Sequence, residues 1–246
     1  MAKKKRLRTW VKVVLVAIPV IAGIVCLIMF GFKLNDIHYT SDLNQFTKEE
    51  VKAYLDAEGI DNAFTLWFRD LIGQEKDIEL FEDYDVSFES LNKVKITSHE
   101  KQFKGYIKND NQYYCFDKDG KLLKIANEKV KDKPRVEGLS VNNTKLYERL
   151  GVTKQKYFDS VLQVANGVDD YDFKVKKIIV DKNGEISIII KKVQVDLGST
   201  TNLKKKLSDL NDMSKNLKKQ NGVLDMRFVN NEGKYILKKK KKSKNH

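Results

Sequence analysis

Side chains that could do acid–base, nucleophilic or metal chemistry are few in this chain and poorly spaced for it. The three histidines are His38, His99 and His246. No H-x-x-x-H pair and no C-x-x-C exists, so neither common zinc spacing is present. No G-x-S-x-G elbow and no glycine-rich phosphate loop occurs. Asp117, Asp119 and Gly120 echo a calcium loop. The third oxygen ligand before the glycine and a bidentate glutamate at the loop's end are missing, so the stretch reads as a hairpin turn. Asp169, Asp170 and Asp172 read as a solvated loop between a helix and a strand. Asn142-Asn143-Thr144 matches a glycosylation acceptor, relevant only in a eukaryotic secretory pathway. The expectation is a chain with no catalytic residues, no cofactor and no metal.

One placement of charge remains to be explained. In GVLDMRF, residues 222 to 228, Asp225 and Arg227 interrupt an apolar run. Strand alternation puts Leu224, Met226 and Phe228 on one face and Asp225 and Arg227 on the other. The first set suits a core, and the second suits an outer ionic stripe. A turn and a last strand follow in VNNEGKYIL, leaving a sheet edge whose backbone groups can accept another strand. Arg227, Phe228, Asn230 and Tyr235 are the side chains placed to contact a partner there.

The elements that must present that edge begin with a membrane segment. The net charge is +13. Residues 1 to 12 hold six basic groups without an acid, and residues 234 to 246 hold seven without an acid, which accounts for the whole excess. The body is therefore balanced and offers no basic face for a run of phosphates, which argues against nucleic-acid binding. Residues 13 to 32 are twenty residues without a charge. They are long enough to cross a bilayer, and bulky Met29, Phe30 and Phe32 crowd the place where a signal peptidase needs small side chains. This is an uncleaved anchor, with Trp10 at headgroup level and the basic cluster keeping the N-terminus cytoplasmic. Cys26 lies in the span and Cys115 outside it, so no disulfide within the chain is expected.

Past the anchor, residues 36 to 101 read as strand, helix, helix, strand, strand. Thr47 and Glu50 form a capping box, with Phe46 and Val51 placed as a staple. The next helix carries Phe64, Trp67, Phe68, Leu71 and Ile72 on one face. Strands follow at YDVSFES and KVKITSH, joined at Leu91-Asn92. NQYYCF and KLLKIA flank the Asp117–Gly120 turn, and PRVEG reads as a loop. Residues 143–150 and 153–166 read as helices. A strand then runs into the turn Asp181-Lys182-Asn183-Gly184. In EISIIIKKVQVDL the apolar positions change parity, and a β-bulge near Lys191-Lys192 is the expected remedy. Leu203, Leu207, Leu210, Met213 and Leu217 form one helical stripe. The lysine-rich residues 238–246 carry too little apolar surface to fold and are expected to be disordered.

The order of these parts resembles the FtsQ/DivIB family of bacterial cell-division proteins. TKEEVKAYL is similar to the family's first POTRA helix, GIDNAFTL to its G-x-N-x-F segment, and NQYYCFDKDGKLL to its YYxxDxxG hairpin. PRVEGL resembles its P-x-x-x-G loop, VDLGSTTNLKKKL its late strand and helix, and GVLDMRF its G-x-x-D-x-R-aromatic strand. Leu91 stands near a usual proline, Glu100-Lys101-Gln102-Phe103 lacks another, and Cys115 replaces an aliphatic residue. The resemblance implies an α+β protein in five parts. These are a cytoplasmic basic tail (1–12), a transmembrane helix (13–32), a POTRA domain (33–101), a larger mixed β-domain (102–237) and the lysine tail (238–246). It implies a non-catalytic, single-pass scaffold, concentrated at the septum, that links early and late division proteins. Its implied partners are FtsB/DivIC-like and FtsL-like coiled-coil membrane proteins. They add a strand to the C-terminal edge, and the family's binding Arg and aromatic residue match Arg227 and Phe228. The lysine tail could also meet anionic lipid or wall polymers. The competing readings are another POTRA-bearing export or assembly factor, a membrane-tethered sensor, and an anchored wall enzyme that would need a nucleophile or carboxylate pair.

Overall fold

The structure is a computed structural model and describes residues 9–73, 78–171, 173–217, 220–228 and 235–239. The chain divides into two compact units, residues 1–101 and 102–246.

The first unit opens with helix α1 (Thr9–Gly31), which contains Pro19. At 1.5 Å per residue its 23 residues span about 35 Å, enough for a bilayer's hydrocarbon core. Its large apolar side chains, Val16, Ile21 and Leu27 among them, lie open rather than against protein. Strand β1 (Asp36–Ser41), helices α2 (Lys48–Ala57) and α3 (Ala63–Leu71), and strands β2 (Phe81–Ser90) and β3 (Lys93–Glu100) follow. This is the β-α-α-β-β order expected of a POTRA domain. The sheet order is β1-β3-β2, with β1 parallel and β2 antiparallel to β3.

Local chemistry sets the helix starts. The Glu50 amide donates to Thr47 Oγ1 at 3.2 Å and the Thr47 amide to Glu50 Oε2 at 2.9 Å, so the capping box is complete. Asn62 caps α3 by accepting from the Thr65 amide at 3.0 Å. Ile37, Val51, Leu55, Leu66 and Ile96 fill the core. Glu100 is also buried, and its carboxylate accepts from Tyr39 Oη at 2.6 Å and the Gln45 amide at 2.7 Å. A buried carboxylate needs such donors. The apolar face of α3 is present but is not the buried one. Ala63 and Leu66 face the core, while Phe68, Leu71 and Ile72 are exposed.

The second unit is built on a nine-stranded sheet. Its first strands are β4 (Gly105–Asn109), β5 (Gln112–Phe116), β6 (Leu122–Ala126) and β7 (Arg135–Glu137). Helix α4 (Gln155–Gly167) precedes β8 (Val175–Val180), β9 (Ile186–Ile190) and β10 (Val193–Gly198). Helix α5 (Leu203–Leu217), β11 (Gly222–Asp225) and β12 (Ile236–Lys239) complete it. Across the sheet the order is β12-β11-β10-β9-β8-β7-β4-β5-β6. Leu207, Leu210 and Leu217 of α5 and Phe158, Val161 and Leu162 of α4 join one core with the sheet's buried face.

Several expectations change here. Residues 186–197 are not one bulged strand. Lys191 and Lys192 form a two-residue turn, with Lys191 at φ 54°, and β9 pairs antiparallel with β10. Ile190 lies opposite Val193, so even positions on one strand share a face with odd positions on the other. The hairpin repairs the parity change that a bulge was invoked to repair, and the register shift sits instead between Asp196 and Gly198. Residues 143–150 are not a helix. The Tyr147 amide donates to Leu122 O at 2.7 Å, and the Leu122 amide donates to Glu148 O at 2.9 Å. Eight residues nucleate a helix poorly, and a strand edge satisfies their backbone better. PRVEG contains β7, a short strand parallel to both β4 and β8. Lys238 and Lys239, expected in the tail, belong to β12, and residues 240–246 lie outside the described residues.

Candidate functional site

The Asp117–Gly120 stretch is a turn, not a cation loop. Asp117 Oδ1 accepts from the Asp119 and Lys121 amides at 2.9 and 2.8 Å. Asp181 does the same for Asn183 and Glu185, both at 2.8 Å. These carboxylates serve their own backbones. His38 pairs with Glu89 and His99 with Asp42, both at the surface. Asp169 pairs with Lys104, and Asp172 lies outside the described residues. Among the described residues no three His, Cys, Asp or Glu side chains gather to hold a metal ion.

The sheet edge carries more. β11 runs parallel to β10, and β12 runs antiparallel to β11 with Leu224 opposite Leu237. Gly222 is required for that pairing. A β-carbon there would fall within the van der Waals shell of the Lys238 carbonyl oxygen and reach Lys239 Cα at 3.0 Å. Among the described residues β12 is the end strand, and no strand pairs with its outer side.

Next to this edge the outer face of the sheet carries the ionic stripe. Asp225 lies directly opposite Asp196 across the parallel pair, and like charges so placed repel. Each is compensated separately. Asp196 Oδ1 accepts from Ser187 Oγ and Gln194 Nε2, both at 2.8 Å. Asp225 accepts a two-pronged contact from Arg227, Nε to Oδ1 at 3.0 Å and Nη2 to Oδ2 at 2.8 Å. The Arg227 hydrogen bond holds the Asp225 carboxyl below its ordinary range. Arg227 Nη1 also reaches Glu185 Oε2 at 3.4 Å. The stem of Arg227 lies over Gly198, where an added β-carbon would meet Cγ at 2.9 Å and where φ is +68°. Beside it is a shallow depression of about 230 Å³ bordered by Glu185, Leu197, Lys206 and Phe228.

Phe228 departs from strand alternation. Leu224 and Met226 are buried, but β11 stops at Asp225, the chain bends at residues 227 and 228, and Phe228 is 78% exposed. The alternation rule fails because the strand it assumes has ended. Tyr235 turns the other way. It packs against the core, and its hydroxyl donates to Asp209 Oδ2 of α5 at 2.8 Å. Burial, then that hydrogen bond, push its pKa up to about 12. Asn230 lies outside the described residues. The structure thus gathers Arg227 and Phe228 on one surface and commits Tyr235 to α5. Glu185, Gly198 and Asp209 were not singled out from sequence. The one available signal for the stripe was the shared strand-then-Asp ending of QVDLG and GVLDM, which registers Asp196 against Asp225.

No curated protein matches the chain. The family model described as cell division protein FtsQ/DivIB, C-terminal, matches residues 105–227, which is half of the chain. The matched segment starts in β4 and ends at Arg227, so it covers the sheet through the ionic stripe.

Proposed function

Because this chain belongs to the FtsQ/DivIB family of cell division proteins, we propose that it is a single-pass scaffold that links early and late division proteins at the septum. Its N-terminus is cytoplasmic and the chain after α1 is extracytoplasmic, by the basic residues that precede α1. Its work is binding, not catalysis. The partner is a membrane-anchored helical protein of the FtsB/DivIC and FtsL kind. An acidic segment of it becomes a strand and lies along β12, where backbone bonds supply affinity and alternating side chains supply specificity.

The observation that carries this reading is the outer side of β12, which no strand pairs with among the described residues, together with the exposed ring of Phe228 at the end of β11. An unpaired strand edge is a hazard that proteins blunt or use. Lys238 and Lys239 at this edge repel a second copy of the same edge and attract an acidic strand. Arginine and aromatic residues are the commonest binding hot spots, which supports reading Arg227 and Phe228 as partner contacts.

The test is Phe228→Ala. The ring is exposed, so the variant should melt like the parent chain, yet bind the partner's extracytoplasmic segment about thirtyfold more weakly, on the order of 2 kcal/mol. A titration with unchanged affinity would move the docking site elsewhere.

A further inference from the structure

The aromatic face of α3 is left open by the first unit. Phe68 is 45% exposed, Leu71 63% and Phe88 39%. Single exposed apolar side chains are ordinary, but these are joined. Ring centroids lie 6.1 Å apart for Phe64–Phe68, 5.7 Å for Phe64–Trp67 and 5.6 Å for Trp67–Phe88. Phe32 closes the cluster, 5.8 Å from Phe64 and 5.9 Å from Phe88.

Phe32 is the first residue after α1, and backbone bonds fasten the patch to that helix's end. The Ala63 amide donates to Phe32 O at 2.8 Å. Asn62 Nδ2 donates to Ile28 O at 2.8 Å, inside the last turn of α1. Asn92 Nδ2 donates to Lys33 O at 2.9 Å and Gly31 O at 3.3 Å. Ile28 to Phe32 is about 6 Å along a helix. The headgroup layer outside the hydrocarbon core is about 5–7 Å thick on each side. The charge-free run ends at Phe32, so a helix that spans the bilayer holds the start of α3 within one headgroup-layer thickness of the hydrocarbon core. Rings that are apolar with one polar atom, like Trp67, favour that depth. The one carboxylate of α3 does not oppose this, because Asp70 Oδ2 accepts from the Val86 amide at 3.0 Å and so turns into the domain. Lys33 is exposed at the same level and suits anionic headgroups.

Resting on the reading of α1 as a membrane anchor, we propose that the patch of Phe32, Phe64, Trp67, Phe68, Leu71 and Phe88 is a second membrane contact. It seats in the headgroup–acyl boundary of the leaflet that α1 leaves. The first unit is then bound to the bilayer at two places and cannot swivel freely on its helix.

The chain has two tryptophans, so Trp10→Phe leaves Trp67 as a sole reporter. The full-length variant is reconstituted into phosphatidylcholine–phosphatidylglycerol vesicles and floated on a gradient. Lipids carrying a quencher near the headgroup should quench Trp67 more than lipids quenched near the chain ends, and its emission should shift to the blue. Adding Phe68→Ser and Leu71→Ser should reduce the quenching while the melting temperature holds, since both side chains are exposed. Co-floating protein with unquenched Trp67 overturns the proposal, leaves the anchor intact, and points to a protein partner for the patch. Protein that fails to float removes the anchor and the second contact together.

Discussion

The two edges of the nine-stranded sheet are finished differently. At the start of β6 the chain covers its own strand. The Leu122 amide donates to Glu148 O, the Tyr147 amide to Leu122 O, and Leu150 to Gly120 O at 2.8 Å. Lys121 bridges to Arg149 as well. At β12 no described segment does this, and the residues there are Ile236, Leu237, Lys238 and Lys239. One edge is covered by backbone where its strand begins, and the other carries charge instead. Backbone cover excludes every strand, whereas charge excludes some and admits others. On the proposed reading, the acidic strand is added at β12 and not at the covered start of β6.

The largest expected effect comes from Gly222→Ala. Its β-carbon would meet the backbone of Lys238, which cannot rotate away as a side chain could. β12 must shift, at about 1–3 kcal/mol of stability. Partner affinity should drop by more than about tenfold, which is ~1.4 kcal/mol. Hydrogen exchange would show β12 opening while β8 to β10 stay protected. Retained affinity with an open β12 would break the claim that this edge matters.

A matched pair sharpens the contrast. Ile236 of β12 is 48% exposed and Ile125 of β6 is 37% exposed. Ile236→Asp should weaken partner binding by about tenfold through repulsion of an acidic strand, whereas Ile125→Asp should change it less than about twofold. Equal losses would mean that the edges are not functionally distinct.

The smallest effect concerns how β12 is held. Removing one hydroxyl in Tyr235→Phe costs about 1 kcal/mol and shortens the protection of β12 in exchange experiments. The pH dependence follows from the raised pKa. Tyr235 rises from an ordinary 10.0 to about 12, so the stabilisation is complete below pH 10 and is lost as pH rises towards 12. Asp225 shifts the opposite way. Its contribution is complete above its ordinary 3.8 and lost only as pH falls below that value. Tyrosinate absorbance followed with and without Tyr235→Phe checks the alkaline arm.

Where a local rule suffices, sequence and structure agree. Thr47 with Glu50, the Asp-x-x-Gly turns at 117–120 and 181–184, and the leucine stripe of α5 depend on neighbours within about one turn. The misses depend on partners far along the chain. β7 is three residues long and exists because β4 and β8 lie on either side of it. β4 lies beside an Asp110-Asn111 turn whose two residues have positive φ, a hairpin signal that the alternation pattern alone does not contain. Residues 143–150 trade a weak helix for the edge of β6. At the candidate site, the Asp225–Arg227 pairing was legible from spacing. The outward turn of Phe228 was not, because nothing in the alternation marks where β11 stops.

The β1–β3 pairing has a mechanical meaning. The two strands are parallel and register over six residue pairs, from Asp36 opposite Lys93 to Ser41 opposite Ser98. β1 is entered from α1, and β3 leaves toward the second unit. Tension between an anchor in the membrane and a partner on β12 would pull these strands from opposite ends. The ladder is then loaded in shear, so its bonds must fail together and cannot peel one at a time. Buried Glu100 adds a lock at the exit, since it holds Tyr39 of β1 and the Gln45 amide. Pulling the unit between residues 33 and 101 should give one sharp rupture, and a graded unzipping would contradict this. Under steady load what counts is the unfolding rate, not the equilibrium stability.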